Sequence, residues 1–398
     1  MSEPEGNKLK GALDGLRVID LTQVLAGPFC TMMLADHGAK VIKIEPPQGD
    51  SARRFPPFPD DDHTHEFGGY FQSINRNKKS VVLDLKTEQG RGHLRALVGN
   101  ANILVENYRA GVMEKLGLSY ESLAEINPRL VYGAIRGFGD PRSGESPYNE
   151  WPAYDVVSQA VGGLMGITGP GVNQPMKVGP GVGDIVPAMM MSFGLLAAVR
   201  HAERTGEGQF VDIAMVDGVL ALCERILHQY AYGGTVAAPE GNGHPLFCPF
   251  GMFQAKDGWV TIACPTDAFW VEFCQAMDEP EFATHPQFVT NQQRRANVKQ
   301  TLAQIEQWTA ALTREQLAKR LGGRVPFGPV NDVTDILGDA HFQLRDMLVE
   351  LEHPGVQGRF TVAGTPVKMS LTPGGVRHRA PTLGEHTEEV LGNLLRER

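Results

Sequence analysis

Residues 16–45 read LRVIDLTQVLAGPFCTMMLADHGAKVIKIE, and this stretch decides the fold. Its apolar start, residues 16–21, predicts a buried strand. Ala26 to about His37 predicts a helix with Pro28 in its first turn, where a missing N–H costs nothing. Residues 40–45 predict a second strand. Strand-like and helix-like segments go on alternating to about residue 140, which predicts an α/β fold with a parallel sheet and helices on both faces.

The chain has 398 residues, a length typical of two or three domains. Near Gly233 its character changes, because residues 233–247 form a Gly/Pro/Ala-rich linker that is followed by short strands and by helices at 267–277 and 298–321. We expect a large domain, a connecting helix or linker and a small α+β domain, which correspond to residues 1–220 with 345–398, 221–232 and 233–344.

Composition excludes several classes of protein. With 42% apolar and 21% charged residues the chain is not disordered, and a net charge of −9 argues against a nucleic acid as partner. Five scattered cysteines without a CxxC pair indicate a reducing compartment. The apolar run at 185–199 is shorter than the ~20 residues that span a bilayer. We therefore expect a cytoplasmic protein with no membrane partner.

The common cofactor motifs are absent from the sequence. The turn at 22–28 reads TQVLAGP rather than GxGxxG, which argues against a nicotinamide or flavin enzyme, and neither a P-loop nor a GxSxG elbow is present. His63 and His65 follow three aspartates, but a zinc site needs further convergent ligands. No metal site is predicted.

Asp184 is the most informative acidic residue. It follows a glycine-rich loop, GPGVG at 179–183, and precedes a long apolar helix. One interpretation is a helix N-cap, which stabilises a helix by ~1 kcal/mol. The other is a carboxylate nucleophile that hydrogen bonds and the helix dipole hold ionised. The two interpretations are compatible.

Basic and aromatic residues follow the ends of several predicted strands, where open α/β sheets bind their ligands. They lie in the segments 75–79, 106–109 and 136–139 and at Lys115. Cations that hold phosphates and rings that stack on a base suit a nucleotide-bearing cofactor.

At these residues the chain resembles the class III CoA-transferases, whose relatives include the α-methylacyl-CoA racemases. The resemblance covers nearly the whole chain and is carried by LRVID (16–20) with AGP (26–28), GAKVIKIE (38–45), NKKS (77–80), VENY (105–108), RGFG (136–139), GD (183–184), RTGEGQ (204–209) and LGEHT (383–387). It implies a Rossmann-like large domain, a smaller inserted domain and an interlocked homodimer. CoA would be a cosubstrate, and no tightly bound cofactor is implied.

The resemblance also implies roles for individual residues. Asp184 corresponds to the catalytic aspartate, and a glycine-rich lid corresponds to Gly241, Asn242 and Gly243, although the family's run of successive glycines is missing. The implied CoA contacts are Val24, Leu83, Asn107, Tyr108, Lys115, Arg136 and Phe138. Formyl-CoA enzymes have a glutamine where this chain has Leu25, so a formyl or oxalate preference is not expected.

The implied activity is transfer of CoA from an acyl-CoA, succinyl-CoA by similarity, to a small dicarboxylic acid, through an aspartyl mixed anhydride and an aspartyl-CoA thioester. Arg53, Arg54 or His244 could meet a distal carboxylate, and each is equally compatible with plain surface. Two alternatives stay open. A racemase is disfavoured because Tyr154, a poor base with a reference pKa ≈ 10, replaces the relatives' histidine. A non-catalytic acyl-CoA-binding protein would not need Asp184 in its glycine loop.

Overall fold

The computed structural model describes residues 11–396, which form two compact units. The larger unit contains residues 11–164, 177–234 and 340–396, and the smaller contains residues 165–176 and 235–339. The strands of the larger unit's main sheet are β1 (Arg17–Asp20), β2 (Lys40–Glu45), β3 (Lys79–Val82), β4 (Ile103–Glu106), β5 (Val131–Arg136) and β6 (Phe210–Ala214).

These six strands are all parallel and lie in the order β3-β2-β1-β4-β5-β6. The predicted α/β fold with a parallel sheet is therefore confirmed, and the strand order is that of Rossmann-type sheets. Because the order reverses between β1 and β4, a crevice opens beyond the carboxyl ends of these two strands, which is where such sheets bind ligands.

Both faces of the sheet are covered, so most residues of β1, β2, β4 and β5 are buried on whichever face they point to. Successive residues of β1 point to opposite faces, and Val18 joins one buried cluster while Ile19 joins the other. The helices of this part of the chain are α1 (Ala26–Asp36), α2 (Gly69–Asn75), α3 (Glu88–Val98), α4 (Val112–Lys115), α5 (Tyr120–Ile126), α6 (Asp155–Val161), α7 (Val182–Thr205), α8 (Met215–Leu222) and α9 (Glu224–Gly233).

The long helix α7 starts earlier and ends later than the apolar run at 185–199, and it passes through Pro187 without interruption. By length and composition alone it is long and apolar enough to cross a membrane, so the argument from the 15-residue run underestimated the length of this helix. One such helix is weak support for a membrane span. Part of its apolar character has another explanation, since Ala188, Met191 and Leu195 are buried in the core of the larger unit.

The smaller unit contains an antiparallel sheet in the order β7-β8-β9, made of β7 (Phe250–Ala255), β8 (Gly258–Ala263) and β9 (Phe327–Pro329). Trp270 and Phe273 lie in its buried core. The helix predicted at 298–321 is two helices, because Thr313 caps a new one through a capping box with Gln316. The helices of this unit are α10 (Asp267–Ala276), α11 (Pro280–Thr284), α12 (Asn291–Ala296), α13 (Val298–Ala310), α14 (Arg314–Leu321) and α15 (Val333–Gly338).

The chain then returns to the larger unit. There the strands β10 (Leu348–Glu352) and β11 (Arg359–Ala363) form an antiparallel pair. The last helices are α16 (Ala340–Leu344) and α17 (Thr387–Arg396). Short 3-10 helices lie at Ser51–Arg54, Pro141–Ser143 and Met165–Ile167.

Candidate active site

Asp184 lies in the first turn of α7 rather than at its N-cap, which is Gly181 and makes no side-chain cap. The N-cap hypothesis was therefore wrong. Gly183 explains how the turn is placed, since a Cβ there would lie 2.6 Å from the carbonyl oxygen of Asp155 in α6. The Asp155 carboxylate accepts a 2.7 Å hydrogen bond from the Gly183 N–H. The close approach of α7 to α6 thus places two carboxylates next to each other.

Burial, and after it the neighbouring charge of Asp155, raise the pKa of Asp184 from 3.8 to about 7. No hydrogen bond within residues 11–396 offsets these two effects. The hypothesis that hydrogen bonds and the helix dipole hold this carboxylate firmly ionised was therefore wrong. Near neutral pH Asp184 exists in both protonation states, and its ionised form is poorly solvated.

Asp184 faces a cavity of about 240 Å³ in the larger unit, beyond the carboxyl ends of β1, β4 and β5. This is the crevice that the strand order predicts. The sequence analysis expected seven residues to contact CoA. Five of them line this cavity: Val24, Asn107, Tyr108, Arg136 and Phe138. Leu25, Arg109, Trp151 and Tyr154 line it too.

Asn107 holds the turn between β1 and α1. Its Oδ1 accepts from the Gln23 N–H at 2.9 Å, and its Nδ2 donates to the Gln23 carbonyl oxygen at 2.8 Å. A side-chain amide that pairs with both backbone groups of one residue fixes that residue's position. Asn107 therefore shapes the floor of the cavity, whatever else it contacts.

Arg136 is 7% exposed and has two carboxylate partners. Its Nη2 lies 2.6 Å from Glu106 and its Nη1 lies 2.5 Å from Asp140. Burial raises the pKa of Glu106 to about 7, an effect that the charge of Arg136 opposes. Both terminal nitrogens thus lie in ion pairs. Within residues 11–396, Nη1 and Nε are nevertheless buried without a hydrogen-bond partner, in a side chain that lines the cavity.

Aromatic side chains form one wall of the cavity. The ring of Phe138 lies 5.3 Å from that of Tyr148 and 6.2 Å from that of Trp151, measured between centroids. Phe138 is buried, whereas Trp151 is exposed. An exposed indole ring that rests against a buried phenylalanine offers a flat face to a ligand.

Tyr154 also lines the cavity and is 67% exposed, as the residue before α6. Its correspondence to the histidine of the racemases stays an expectation from the sequence.

Several other expected residues lie elsewhere. Leu83 is buried in the core beside β3, and Lys115 is exposed at the end of α4, and neither lines the cavity. Gly241, Asn242 and Gly243 form a turn in the smaller unit, where the Gly241 N–H donates to the Gly169 carbonyl oxygen at 2.9 Å. Their role as a lid stays a prediction.

The three residues considered as contacts for the distal carboxylate of a dicarboxylic acid differ in their burial and in their partners. Arg53 is buried and forms two hydrogen bonds with Glu45, at 2.8 and 2.7 Å, so its charge is already matched. Arg54 is exposed and donates weakly to the Gln48 carbonyl oxygen. His244 stacks on Phe247 within the smaller unit.

Sequence reasoning missed Asp155, which sets the environment of Asp184, and Trp151 at the cavity wall. No local spacing links Asp155 to Asp184, since they come from different helices whose close approach requires a glycine at position 183. Arg109 was visible only as one of several cations after a strand. Within residues 11–396 no group of three or more His, Cys, Asp or Glu able to hold a metal is found.

Comparison with known proteins identifies the family. The family model for CoA-transferase family III matches residues 13–387. The succinyl-CoA:mesaconate CoA-transferase of Haloarcula marismortui is 49% identical over 384 residues, which cover 96% of each chain. The succinate–glutarate CoA-transferase of Agrobacterium fabrum is 36% identical, over 97% of this chain and 96% of its own.

Among solved structures, a CAIB/BAIF family protein from Brucella suis superposes with a TM-score of 0.86 at 34% identity. The match covers 97% of this chain and 100% of that one. The chain belongs to CoA-transferase family III. It is a CoA-transferase, an enzyme for which CoA is a cosubstrate, and the cavity at Asp184 is its candidate active site.

Proposed function

We propose that the enzyme transfers CoA from succinyl-CoA to a small dicarboxylic acid and that Asp184 carries the acyl group and then the CoA. The similarity to succinyl-CoA:mesaconate and succinate–glutarate CoA-transferases supports the substrate class. The main support for the active site is the Asp184 carboxylate, which is poorly solvated and follows a glycine-rich loop. It lines the cavity beyond the ends of β1 and β4, where the strand order of the sheet reverses.

The first half of the reaction loads the enzyme. An oxygen of the Asp184 carboxylate attacks the thioester carbonyl carbon, the C–S bond breaks, and CoA leaves as a thiolate while a mixed anhydride forms. The thiolate then attacks the aspartyl carbonyl carbon, the anhydride C–O bond breaks, and succinate leaves. The enzyme now holds CoA as an aspartyl thioester.

The second half repeats these steps with the acceptor. Its carboxylate attacks the aspartyl thioester, the thiolate leaves, and a second mixed anhydride forms. The thiolate attacks the acceptor's acyl carbon, which yields the new acyl-CoA and frees Asp184. Bonds of similar energy are exchanged throughout, so we propose that the reaction proceeds without a tightly bound cofactor. The protein positions the groups and keeps water away from the anhydrides.

The cavity also suggests how CoA is held. Arg109 lines the cavity and is exposed, so its charge is accessible to phosphates, whereas Arg136 is engaged by Glu106 and Asp140. We assign the phosphate contact to Arg109. Val24, Asn107, Tyr108 and Phe138 remain the proposed contacts for the rest of CoA.

We further propose that the enzyme is a homodimer in a reducing, cytoplasmic compartment. Large apolar side chains are exposed on the larger unit, among them Phe193 of α7 and Leu227 and Tyr232 of α9, and a second copy of the chain would cover them. All five cysteines are free and buried. Light scattering after size exclusion gives the mass of two chains if the dimer forms.

The test of function combines a variant with a trapping reagent. Asp184→Ala should abolish transfer between succinyl-CoA and a panel of dicarboxylates while CoA still binds. Hydroxylamine added to wild-type enzyme and succinyl-CoA should convert the aspartyl thioester to a hydroxamate, which mass spectrometry locates at residue 184. Asp217→Asn, an exposed acid at the same position of α8, serves as the active control.

Two results would overturn the proposal. Transfer that survives in Asp184→Ala removes the covalent role of this residue. Deuterium uptake from solvent at the α-carbon of a 2-methylacyl-CoA, without CoA exchange between acids, identifies a racemase instead.

A further inference from the structure

The turn between β1 and α1, residues 22–25, contains a strained residue. Val24 has φ of 67°, in the left-handed region where a β-branched residue is an outlier. Such conformations persist only when their surroundings enforce them, and they concentrate at functional sites. Val24, Leu25 and Ala26 line the cavity together with Asp184, so the strain lies where acyl-CoA is expected.

The enforcing group is Asp50, in the loop after β2. Both of its carboxylate oxygens accept from the Val24 N–H, at 3.2 and 3.3 Å. Asp50 is 1% exposed, and its own N–H donates to Glu45 at 3.0 Å. Its carboxylate lies 3.0 Å from the Nζ of Lys43, and both side chains are fully buried.

The same ion pair holds the other end of the turn. Lys43 Nζ donates to the Thr22 carbonyl oxygen at 2.7 Å. Asn107 pairs with both backbone groups of Gln23. The Thr22 N–H donates to Asp20 at 2.9 Å. The N–H groups of three successive residues and the first two carbonyl oxygens are therefore bound by side chains, which leaves the turn little freedom to relax.

We propose that Asp50, together with Lys43, is a positioning residue for CoA transfer, because it holds Val24 in the left-handed conformation that shapes the cavity beside Asp184. Asp50 does not line the cavity and acts only through the turn. The inference rests on the proposed active site at Asp184. It goes beyond that proposal by assigning a role to a buried ion pair that touches no substrate.

A purely structural ion pair makes a different prediction. If Lys43 and Asp50 only stabilise the fold, their loss lowers the melting temperature and leaves turnover by the folded enzyme unchanged. If they position the turn, kcat falls much more than the affinity for acyl-CoA, and the fall depends on the strain at Val24. A matched control exists at the opposite end of α1, where buried Asp36 pairs with Arg76 at 2.8 Å.

The experiment compares Asp50→Asn, Asp36→Asn, Val24→Gly and the Val24→Gly/Asp50→Asn double variant. We expect Asp50→Asn to lower kcat by about 100-fold, the scale of a small misplacement, and to change KM by less than about threefold. Asp36→Asn should lower the melting temperature and leave kcat within about threefold. In the Val24→Gly background the Asp50→Asn loss should shrink to about tenfold or less, because glycine adopts positive φ without strain.

Equal kcat in the Asp50→Asn and Asp36→Asn enzymes would overturn the proposal, as would the same Asp50→Asn loss in both backgrounds at residue 24. If Asp50→Asn does not fold, Lys43→Met/Asp50→Leu removes both charges together and is measured in its place. The Asp184→Ala variant distinguishes failure of the proposed active site from failure of the positioning role of Asp50. An active Asp184→Ala enzyme removes the proposed site, whereas an inactive one beside a fully active Asp50→Asn enzyme removes only the positioning role.

Discussion

Replacing Asp184 by asparagine should stabilise the folded enzyme in a pH-dependent way. The carboxyl has a pKa of about 7 in the fold against an ordinary value of 3.8. Below about pH 4 it is protonated in folded and unfolded chains and contributes nothing. Between these two values the unfolded chain releases the proton and the folded one keeps it, so the stability of the native protein falls as the pH rises. Above about pH 7 the full loss is present.

The size of the effect follows from these two values. At 1.36 kcal/mol per pH unit, the interval from 3.8 to about 7 corresponds to roughly 4 kcal/mol. Asp184 is only partly buried, so solvent screening reduces this, and we take about 2 kcal/mol. For the larger unit, a change of about 2 kcal/mol in the free energy of unfolding corresponds to about 4 °C in melting temperature.

Thermal unfolding at about pH 5 and about pH 8 measures the effect. Asp184→Asn should melt about 4 °C above wild type at the higher pH and gain about one third of that at the lower. Asp217→Asn, in the first turn of α8 and exposed, controls for the loss of an acid near a helix N-terminus. A gain of equal size at both pH values, or no gain at pH 8, refutes the argument from burial.

Three further predictions concern the surroundings of Asp184 and of the cavity. Asp155→Asn removes the second cause of the raised pKa of Asp184, so the acidic limb of the profile of kcat/KM against pH should move to lower pH; an unmoved limb contradicts the assignment. Arg136→Met leaves buried Glu106 without its cation, while Asp140 keeps Arg142 at 3.1 Å, and should cost about 3–5 kcal/mol in urea unfolding, with a loss under 1 kcal/mol as the contrary result. Gly183→Ala places a Cβ 2.6 Å from a carbonyl oxygen and should destabilise by about 1–3 kcal/mol and reduce transfer, whereas Gly179→Ala, with open space around it, should do neither.

The parallel sheet could be predicted because each of its strands and helices is indicated by residues that are close together in the sequence. Residues 16–45 contain a complete strand–helix–strand unit, and each element is defined by neighbours within a few positions along the chain. Gly38 ends the first helical pattern and β2 follows two residues later, as expected. The helix predicted at 298–321 failed for an equally local reason, because Thr313 and Gln316 form a capping box that the apolar spacing alone did not reveal.

The sequence predicted that Asp184 lies near the start of a long helix at a candidate site, but it did not predict the raised pKa of this residue. The glycine loop and the family resemblance both pointed to this residue, whereas its pKa depends on burial and on Asp155, which another helix brings in. The strain at Val24 was hidden for the same reason. Its partner Asp50 lies in a loop after the next strand, and only the folded turn shows that the two meet.

The environment that we expect to lower the stability of the free enzyme would also favour the covalent chemistry proposed for Asp184. A partly buried carboxylate that accepts no hydrogen bond from residues 11–396 is poorly solvated, so its charged form lies high in free energy. An aspartyl anhydride or thioester is neutral at this position and loses nothing by burial beside Asp155. Forming the adduct therefore relieves a cost that the free carboxylate carries, and the charge on Asp155 adds to that relief. The gain in stability expected for Asp184→Asn measures part of the same free energy, which is why a more stable variant should also be an inactive one.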